Sequence, residues 1–286
     1  MTAIRPIAVL GAGTMGHGIA QVLAMSGTPT RLFDIDADAL DEAVRRIEAN
    51  IVKGIERGKV EEPALERARA ALTMHDDLAT AATGVEAVIE AAPERLSLKQ
   101  DLLTACADAA GPEALLATNT SSLSIGAIAA AVPGPGRVIG MHFFNPVHIM
   151  ALLEIVRGAE TTDDTVARAR EIGDRMGKTS ILVNDSPGFA SSRLGVVLGL
   201  EAIRMLEEGV ASAEDIDTAM RLGYRHPMGP LRLGDLVGLD VRLDIARYLH
   251  RELGSPRFEP PALLEHMVAE GKLGQKTGEG FYRWDD

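Results

Sequence analysis

The chain is short of several things, and each shortage excludes something. A single cysteine, Cys106, in 286 residues rules out an intramolecular disulfide and suits a reducing, cytoplasmic setting. It lies in an Ala/Leu-rich stretch, where buried filler rather than a reactive thiol is expected. Aromatic residues are only 3%, so the core has to come from Ala, Leu, Ile, Val and Met. No apolar run approaches the roughly 20 residues of a membrane span. The opening MTAIRPIAVLGAG lacks a small-residue cleavage site and reads as a first strand rather than a leader. Basic residues are in deficit, 29 against 41 acidic ones, for a net charge of −12. That balance disfavours a nucleic-acid partner, although a local basic patch can still hold an anionic small ligand. No metal ligand set is expected.

What is present begins with a βαβ unit. IAVL at 7–10 runs into GAGTMG, helical periodicity follows through Ile19, Leu23 and Ala24, and a second apolar run, 30–33, ends at Asp34. Residues 37–72 read as two helices joined near Gly58. Further strands are expected at 85–92, 115–120, 138–144, 152–156 and 180–183, with helices at 96–110, 124–131 and 161–176. After Asp185-Ser186-Pro187-Gly188 the strand-like runs stop, and 189–208, 212–222, 235–252 and 261–270 read as helices. The expected fold is therefore α/β: an N-terminal Rossmann-type dinucleotide-binding domain over 1–184, then an all-α C-terminal domain over 185–286.

Gly11-Ala12-Gly13-Thr14-Met15-Gly16 matches GxGxxG between a strand and a helix, the context this motif requires. The first glycine permits the tight turn, the second lets backbone approach a pyrophosphate, and the third lets helix and strand pack closely. The helix N-terminus adds free N–H groups and a positive dipole end. Asp34 can accept from both hydroxyls of an adenosine ribose and would repel a 2′-phosphate, which favours NAD over NADP. FAD shares the fingerprint and stays open at this point. His17, just inside the helix, reads as solvated or packed on the loop.

In VIGMHFFNPVHIMALLEIV two strands flank a turn, with His142 late in the first and Glu154 early in the second. Antiparallel pairing would bring them face to face. A carboxylate on one imidazole nitrogen fixes the tautomer and raises basicity, leaving the other nitrogen for proton transfer. Spacing alone also allows a purely structural pair. Asn119-Thr120-Ser121-Ser122 follows a strand's C-terminal end, where ligands bind in open α/β sheets. A serine there could bond a substrate oxygen, or Ser122 or Ser124 could cap the next helix.

Seven segments in order, GAGTMGHGIAQ, VIEAAPERLSLKQ, ATNTSSLSI, MHFFNPV, DSPGF, HPMGPLRLGD and GKLGQKTGEGFYRW, resemble the 3-hydroxyacyl-CoA dehydrogenase family, in particular its bacterial 3-hydroxybutyryl-CoA branch, across essentially the whole chain. The resemblance implies oxidation of (S)-3-hydroxyacyl-CoA to 3-oxoacyl-CoA with NAD, on a short acyl chain. It gives His142 the role of general base or acid, Glu154 that of its orienting partner, and Ser121 a bond to the 3-oxygen. Glu94, Lys99 and Asn119 join the glycine loop and Asp34 as cofactor-binding positions. Lys53 and Lys59, with Arg57, fall where relatives hold the CoA phosphates. A homodimer formed through the helical domain is implied, as is a place in fatty-acid metabolism. One position departs from the pattern: Ser192 stands where many relatives carry an asparagine near the reacting region. 3-Hydroxyadipyl-CoA, a free hydroxy acid, and a non-catalytic NAD-binding oligomer remain as alternatives.

Overall fold

The computed structural model describes residues 4–284, which divide into two compact units between Ser186 and Pro187. The first is built on eight strands in the order β3-β2-β1-β4-β5-β6-β7-β8. These are β1 (Ile7–Leu10), β2 (Thr30–Phe33), β3 (Leu72–His75), β4 (Ala87–Glu90), β5 (Leu115–Thr118), β6 (Val138–Phe143), β7 (Leu152–Arg157) and β8 (Thr179–Asn184). Every neighbouring pair is parallel except β6 and β7. β1, β4, β5 and β6 are buried along their whole length, as continuous apolar runs in a sheet covered on both faces should be. The helices of this unit are α1 (Gly16–Met25), α2 (Ala37–Glu56), α3 (Ala64–Ala71), α4 (Leu78–Ala82), α5 (Leu96–Ala110), α6 (Ile125–Ala129) and α7 (Asp163–Arg175). Alpha-helical spacing explains their docking. On α2, Leu40, Ala43, Ile47 and Ile51 form one buried stripe. This is the doubly wound Rossmann-type arrangement, and its core is aliphatic. Cys106 is wholly buried in α5 and burial pushes its thiol up to about 12, so it is filler.

Two sequence expectations need correction here. The second helix of 37–72 stops at Ala71, and Leu72–His75 is an edge strand paired with β2. Its polar, half-exposed LTMH has no apolar run to announce it; it forms because β2 offers an open edge. The short α4 that follows, capped by Asp77 on Thr80 N–H, was likewise not expected.

The second unit is helical: α8 (Ser191–Glu207), α9 (Ala213–Thr218), α10 (Pro230–Val237), α11 (Leu239–Leu253) and α12 (Ala262–Ala269). The helix expected over 235–252 is instead broken at Gly238, whose φ of 102° is open to glycine alone. The end of the chain is stitched to this unit by two buried acids. Asp235 accepts from Phe281 N–H, Tyr282 N–H and the Trp284 indole, and Asp217 from Leu231 N–H, Arg232 N–H and the Tyr282 hydroxyl. A Cβ on Gly280 would lie 2.2 Å from an Asp235 carboxylate oxygen. Gly280→Ala must push that carboxylate off its donors, and should destabilise the unit by about 3 kcal/mol or more, read as a lower denaturation midpoint. An unshifted midpoint would show that the tail is not held this way.

Candidate active site

The C-terminal ends of β1, β4, β5 and β6 bring the singled-out residues to one edge of the sheet. At β1 the chain turns through Gly11, whose φ is 99° and where a Cβ would meet Ala91 O at 2.9 Å. A Cβ on Gly16 would lie 1.7 Å from Gly11 O, so helix and turn pack in backbone contact. A Cβ on Gly13 would meet nothing within 4 Å, leaving open space over the loop. Thr14 and Met15 complete the loop, with Met15 just ahead of α1. Asp34 is fastened to it: Ala12 N–H donates to Oδ2 (2.7 Å) and Asp36 N–H to Oδ1 (3.1 Å). A carboxylate has about four acceptor sites, so roughly two remain for a ribose. Crowded, open and crowded glycines followed by an anchored acid fit a dinucleotide. Of the two readings of His17, solvated or packed on the loop, the second is seen: its Nδ1 turns back to Gly13 O at 2.8 Å.

β4 ends in Glu90, a fully buried carboxylate that the sequence reading passed over. Its oxygens accept from Lys99 Nζ (2.9 and 3.1 Å), the Thr118 hydroxyl (2.6 Å) and Ala92 N–H (2.6 Å). Lys99 is 1% exposed, which excludes a solvated lysine. Its ammonium also donates to Ala92 O and reaches Glu94 Oε2 at 3.3 Å. Glu94 Oε1 in turn accepts from the Thr120 hydroxyl (2.6 Å), Ser121 N–H (3.0 Å), Ser122 N–H (3.1 Å) and the Ser122 hydroxyl (3.0 Å). Burial alone would raise the Glu94 carboxyl, but the Thr120 hydroxyl, the Lys99 charge and the Ser121 and Ser122 donors outweigh it and hold it below the usual carboxylate range. A lone acid closing an apolar strand, VIE, was the signal that could have exposed Glu90.

The loop after β5 resolves the capping question. Ser124 caps α6 through Ala127 N–H, Ser122 serves Glu94, and the exposed Ser121 hydroxyl makes no hydrogen bond among the described residues. Asn119 Oδ1 accepts from Phe143 N–H at 2.9 Å, tying this loop to the end of β6. There His142 and Glu154 are directly opposed in the antiparallel register, and Nδ1 meets Glu154 Oε2 at 2.7 Å. Glu154 is wholly buried and His142 7% exposed, with the Phe144 ring 4.6 Å away. The following turn is held by Lys178, which donates to the Val147 and Met150 carbonyls.

The remaining expected positions belong to other elements. Lys53 is in the last turn of α2, and Arg57 and Lys59 follow it. All three are exposed, with no ion pair among the described residues. Ser192 is the second residue of α8 in the helical unit.

Residues 6–186 match the family described as 3-hydroxyacyl-CoA dehydrogenase, NAD binding domain, and residues 188–284 its C-terminal domain. A probable 3-hydroxybutyryl-CoA dehydrogenase of Deinococcus radiodurans is 43% identical over 96% of this chain and 99% of its own length. The crystal structure of (S)-3-hydroxybutyryl-CoA dehydrogenase from Ralstonia eutropha has a TM-score of 0.94 at 39% identity, covering 99% of this chain and 100% of that one. A 3-hydroxyadipyl-CoA dehydrogenase of Escherichia coli is 41% identical over 99% of this chain, which spans 60% of it.

The Glu94 hub has an acid signature. A carboxyl whose folded pKa lies below its ordinary 4.5 contributes fully above that value and loses its contribution as pH falls through the lower, folded one. Glu94→Gln should therefore speed amide exchange at Ser121 and Ser122 by about tenfold at pH 5, the weight of a charge-assisted hydrogen bond. Unchanged exchange would rule out the hub.

Proposed function

The chain belongs to the 3-hydroxyacyl-CoA dehydrogenase family, and from that premise we infer that it is an NAD-dependent oxidoreductase interconverting (S)-3-hydroxyacyl-CoA and 3-oxoacyl-CoA on a short acyl chain, 3-hydroxybutyryl-CoA foremost. The observation that carries the chemistry is the buried His142–Glu154 pair at the same sheet edge as the glycine loop. Gly11, Gly13, Thr14, Met15 and Gly16 would cradle the pyrophosphate and Asp34 the adenosine ribose. When bound, NAD supplies the hydride acceptor. With Nδ1 engaged by Glu154, proton exchange with the 3-hydroxyl falls to Nε2 of His142. Glu154 keeps the tautomer and stabilises the imidazolium that forms. The Ser121 hydroxyl donates to the 3-oxygen, and its loop is held by Glu94. Glu94, 36% exposed at its side chain, keeps a place beside the cofactor. Lys99 and Asn119 act from behind, as positioning residues. Lys53 and Lys59 supply charge for CoA phosphates, and Ser192 lines the acyl group.

The domain roles follow: residues 1–184 bind NAD, and 185–286 bind substrate and dimerise. A groove of about 850 Å³ on the helical unit, lined by Leu194, Val197, Leu198 and Met220, suits a second copy, as do the exposed Leu222 and Tyr224. A cytoplasmic homodimer in fatty-acid metabolism is the corresponding setting.

His142→Gln should lower turnover of 3-hydroxybutyryl-CoA by about 10²–10⁴-fold while NAD affinity, measured by calorimetry, is retained. Turnover like that of the parent would sink the assignment. Sedimentation equilibrium should give twice the chain mass at micromolar concentration, and Leu194→Glu should shift it to one; a parent that sediments as a single chain would refute the dimer.

A further inference from the structure

Two histidines flank the first turn of α1, and the chemistry assigned above uses neither. His17 is held to the glycine loop twice. Its own N–H donates to Gly13 O at 3.1 Å, and its Nδ1 lies 2.8 Å from the same oxygen. A carbonyl can only accept, so Nδ1 carries a proton and Nε2 is the nitrogen that titrates. Gly13 O and Thr14 N–H belong to one planar peptide and point in opposite directions. The ring therefore bonds one end of a peptide whose other end is a free donor just ahead of the helix: Thr14 N–H has no acceptor among the described residues. Once protonated, His17 makes its bond charge-assisted and adds a cation behind that donor.

His148 comes from the turn between β6 and β7. That turn is packed on α1: a Cβ on Gly18 would lie 3.0 Å from the Val147 side chain. His17 precedes Gly18 and His148 follows Val147, so the two rings are neighbours and each feels the other's charge. Desolvation, His17 and Lys178 hold the His148 imidazole below its ordinary range. Lys178 is itself engaged by the Val147 and Met150 carbonyls. The remaining charges around α1 are already answered. α1 carries no charged side chain besides His17. α2 leaves the same sheet edge and bonds Gln21 through Asn50 at 3.2 Å; one turn back on each helix stand His17 and Arg46, and Arg46 is paired with Glu42 at 2.7 Å. On α3, Arg67 donates to Met25 O at the far end of α1. Asp34, just past β2, accepts from Ala12 N–H and Asp36 N–H. Neither histidine forms an ion pair among the described residues.

We propose that His17 is a positioning residue that makes cofactor binding proton-linked: a proton on its Nε2 strengthens the hold of the Gly13–Thr14 peptide on the dinucleotide's diphosphate, and His148 sets the pH at which that proton is taken up. The inference rests on the reading of the glycine loop as the diphosphate site. An anionic ligand favours the protonated ring, so binding raises the pH at which His17 titrates. The gain in affinity enters as pH falls through this higher, bound-state value and is complete below the free-state one. Two like charges on neighbouring rings repel, so a charge on His148 opposes the one on His17.

The test is calorimetric titration of the full-length protein with NADH and with ADP-ribose from about pH 8 to about pH 5.5, the span in which histidine titrates. ADP-ribose carries the diphosphate as a diester of constant charge and lacks the nicotinamide that would meet His142. Affinity for both ligands should rise about threefold to tenfold towards acid, the weight of one screened charge several ångströms from a diphosphate. His17→Gln should remove that rise, while His148→Gln should keep it and move its midpoint to higher pH. In the parent, the His17 imidazole followed by NMR should protonate at higher pH with ADP-ribose bound, by reciprocity; this measurement stands even if His17→Gln does not fold. A pH-independent affinity in the parent, a rise that survives His17→Gln, or an imidazole midpoint unmoved by ADP-ribose overturns this inference alone. An unmoved midpoint in His148→Gln overturns the part given to His148. Failure of both ligands to bind at any pH overturns the cofactor reading instead.

Discussion

A fully buried carboxylate cannot be left alone, and the arrangement of this site follows from how that constraint is met at Glu90. Its charge closes β4 inside the protein and is answered by Lys99 from the first turn of α5, also buried. Such a pair adds little net stability, but removing one partner leaves a buried charge at a cost of about 3–5 kcal/mol. The two groups therefore hold each other in place. Because Lys99 also reaches Glu94, and Glu94 collects Thr120, Ser121 and Ser122, the loop after β4 and the loop after β5 are fastened to the same ion pair. One of these loops abuts the glycine turn and the other carries the serine assigned to the substrate oxygen. Their relative position is set in the core rather than by a ligand.

The second determinant is a reversal of strand direction. Parallel strands deliver their C-terminal ends to one edge, which brings Gly11, Glu90, Asn119 and His142 together. A parallel β7 could not have placed an acid opposite His142 after so short a connection, because parallel strands need a crossover of a dozen or more residues. The antiparallel return does, with residues 144–151 between the strands. A slip of one residue would send the Glu154 side chain to the opposite face of the sheet. Asn119, bonding Phe143 N–H, joins this pair to the loop beside it.

Much of this was legible in the chain itself, for a reason that also marks where reading stopped. IAVL, LLAT and VIGMHF are apolar runs that announce buried strands, and the glycine loop with Asp34 announces its ligand class through backbone geometry. The His142–Glu154 opposition was legible because two strands and one turn fix it. LTMH was not, since an edge strand with half-exposed residues forms only when a neighbour offers its hydrogen-bonding side. The burial of Lys99 was not legible, because it depends on an acid nine positions earlier, on a different element.

The buried Asp217 and Asp235 carboxylates fasten the partly buried Phe281, Tyr282 and Trp284 to the helical unit. That has a consequence for the order of events at the ribosome. The sheet unit has all of its strands once Asn184 has emerged, whereas the helical unit lacks the donors of Phe281, Tyr282 and Trp284 until about a hundred residues later. At roughly 5–20 residues per second the delay is on the order of 5–20 s. For that interval two buried acids lack their donors and the helices around them cannot close, so a complete sheet unit is carried beside an unfinished one. Nascent-chain quality control would meet this protein in its C-terminal hundred residues.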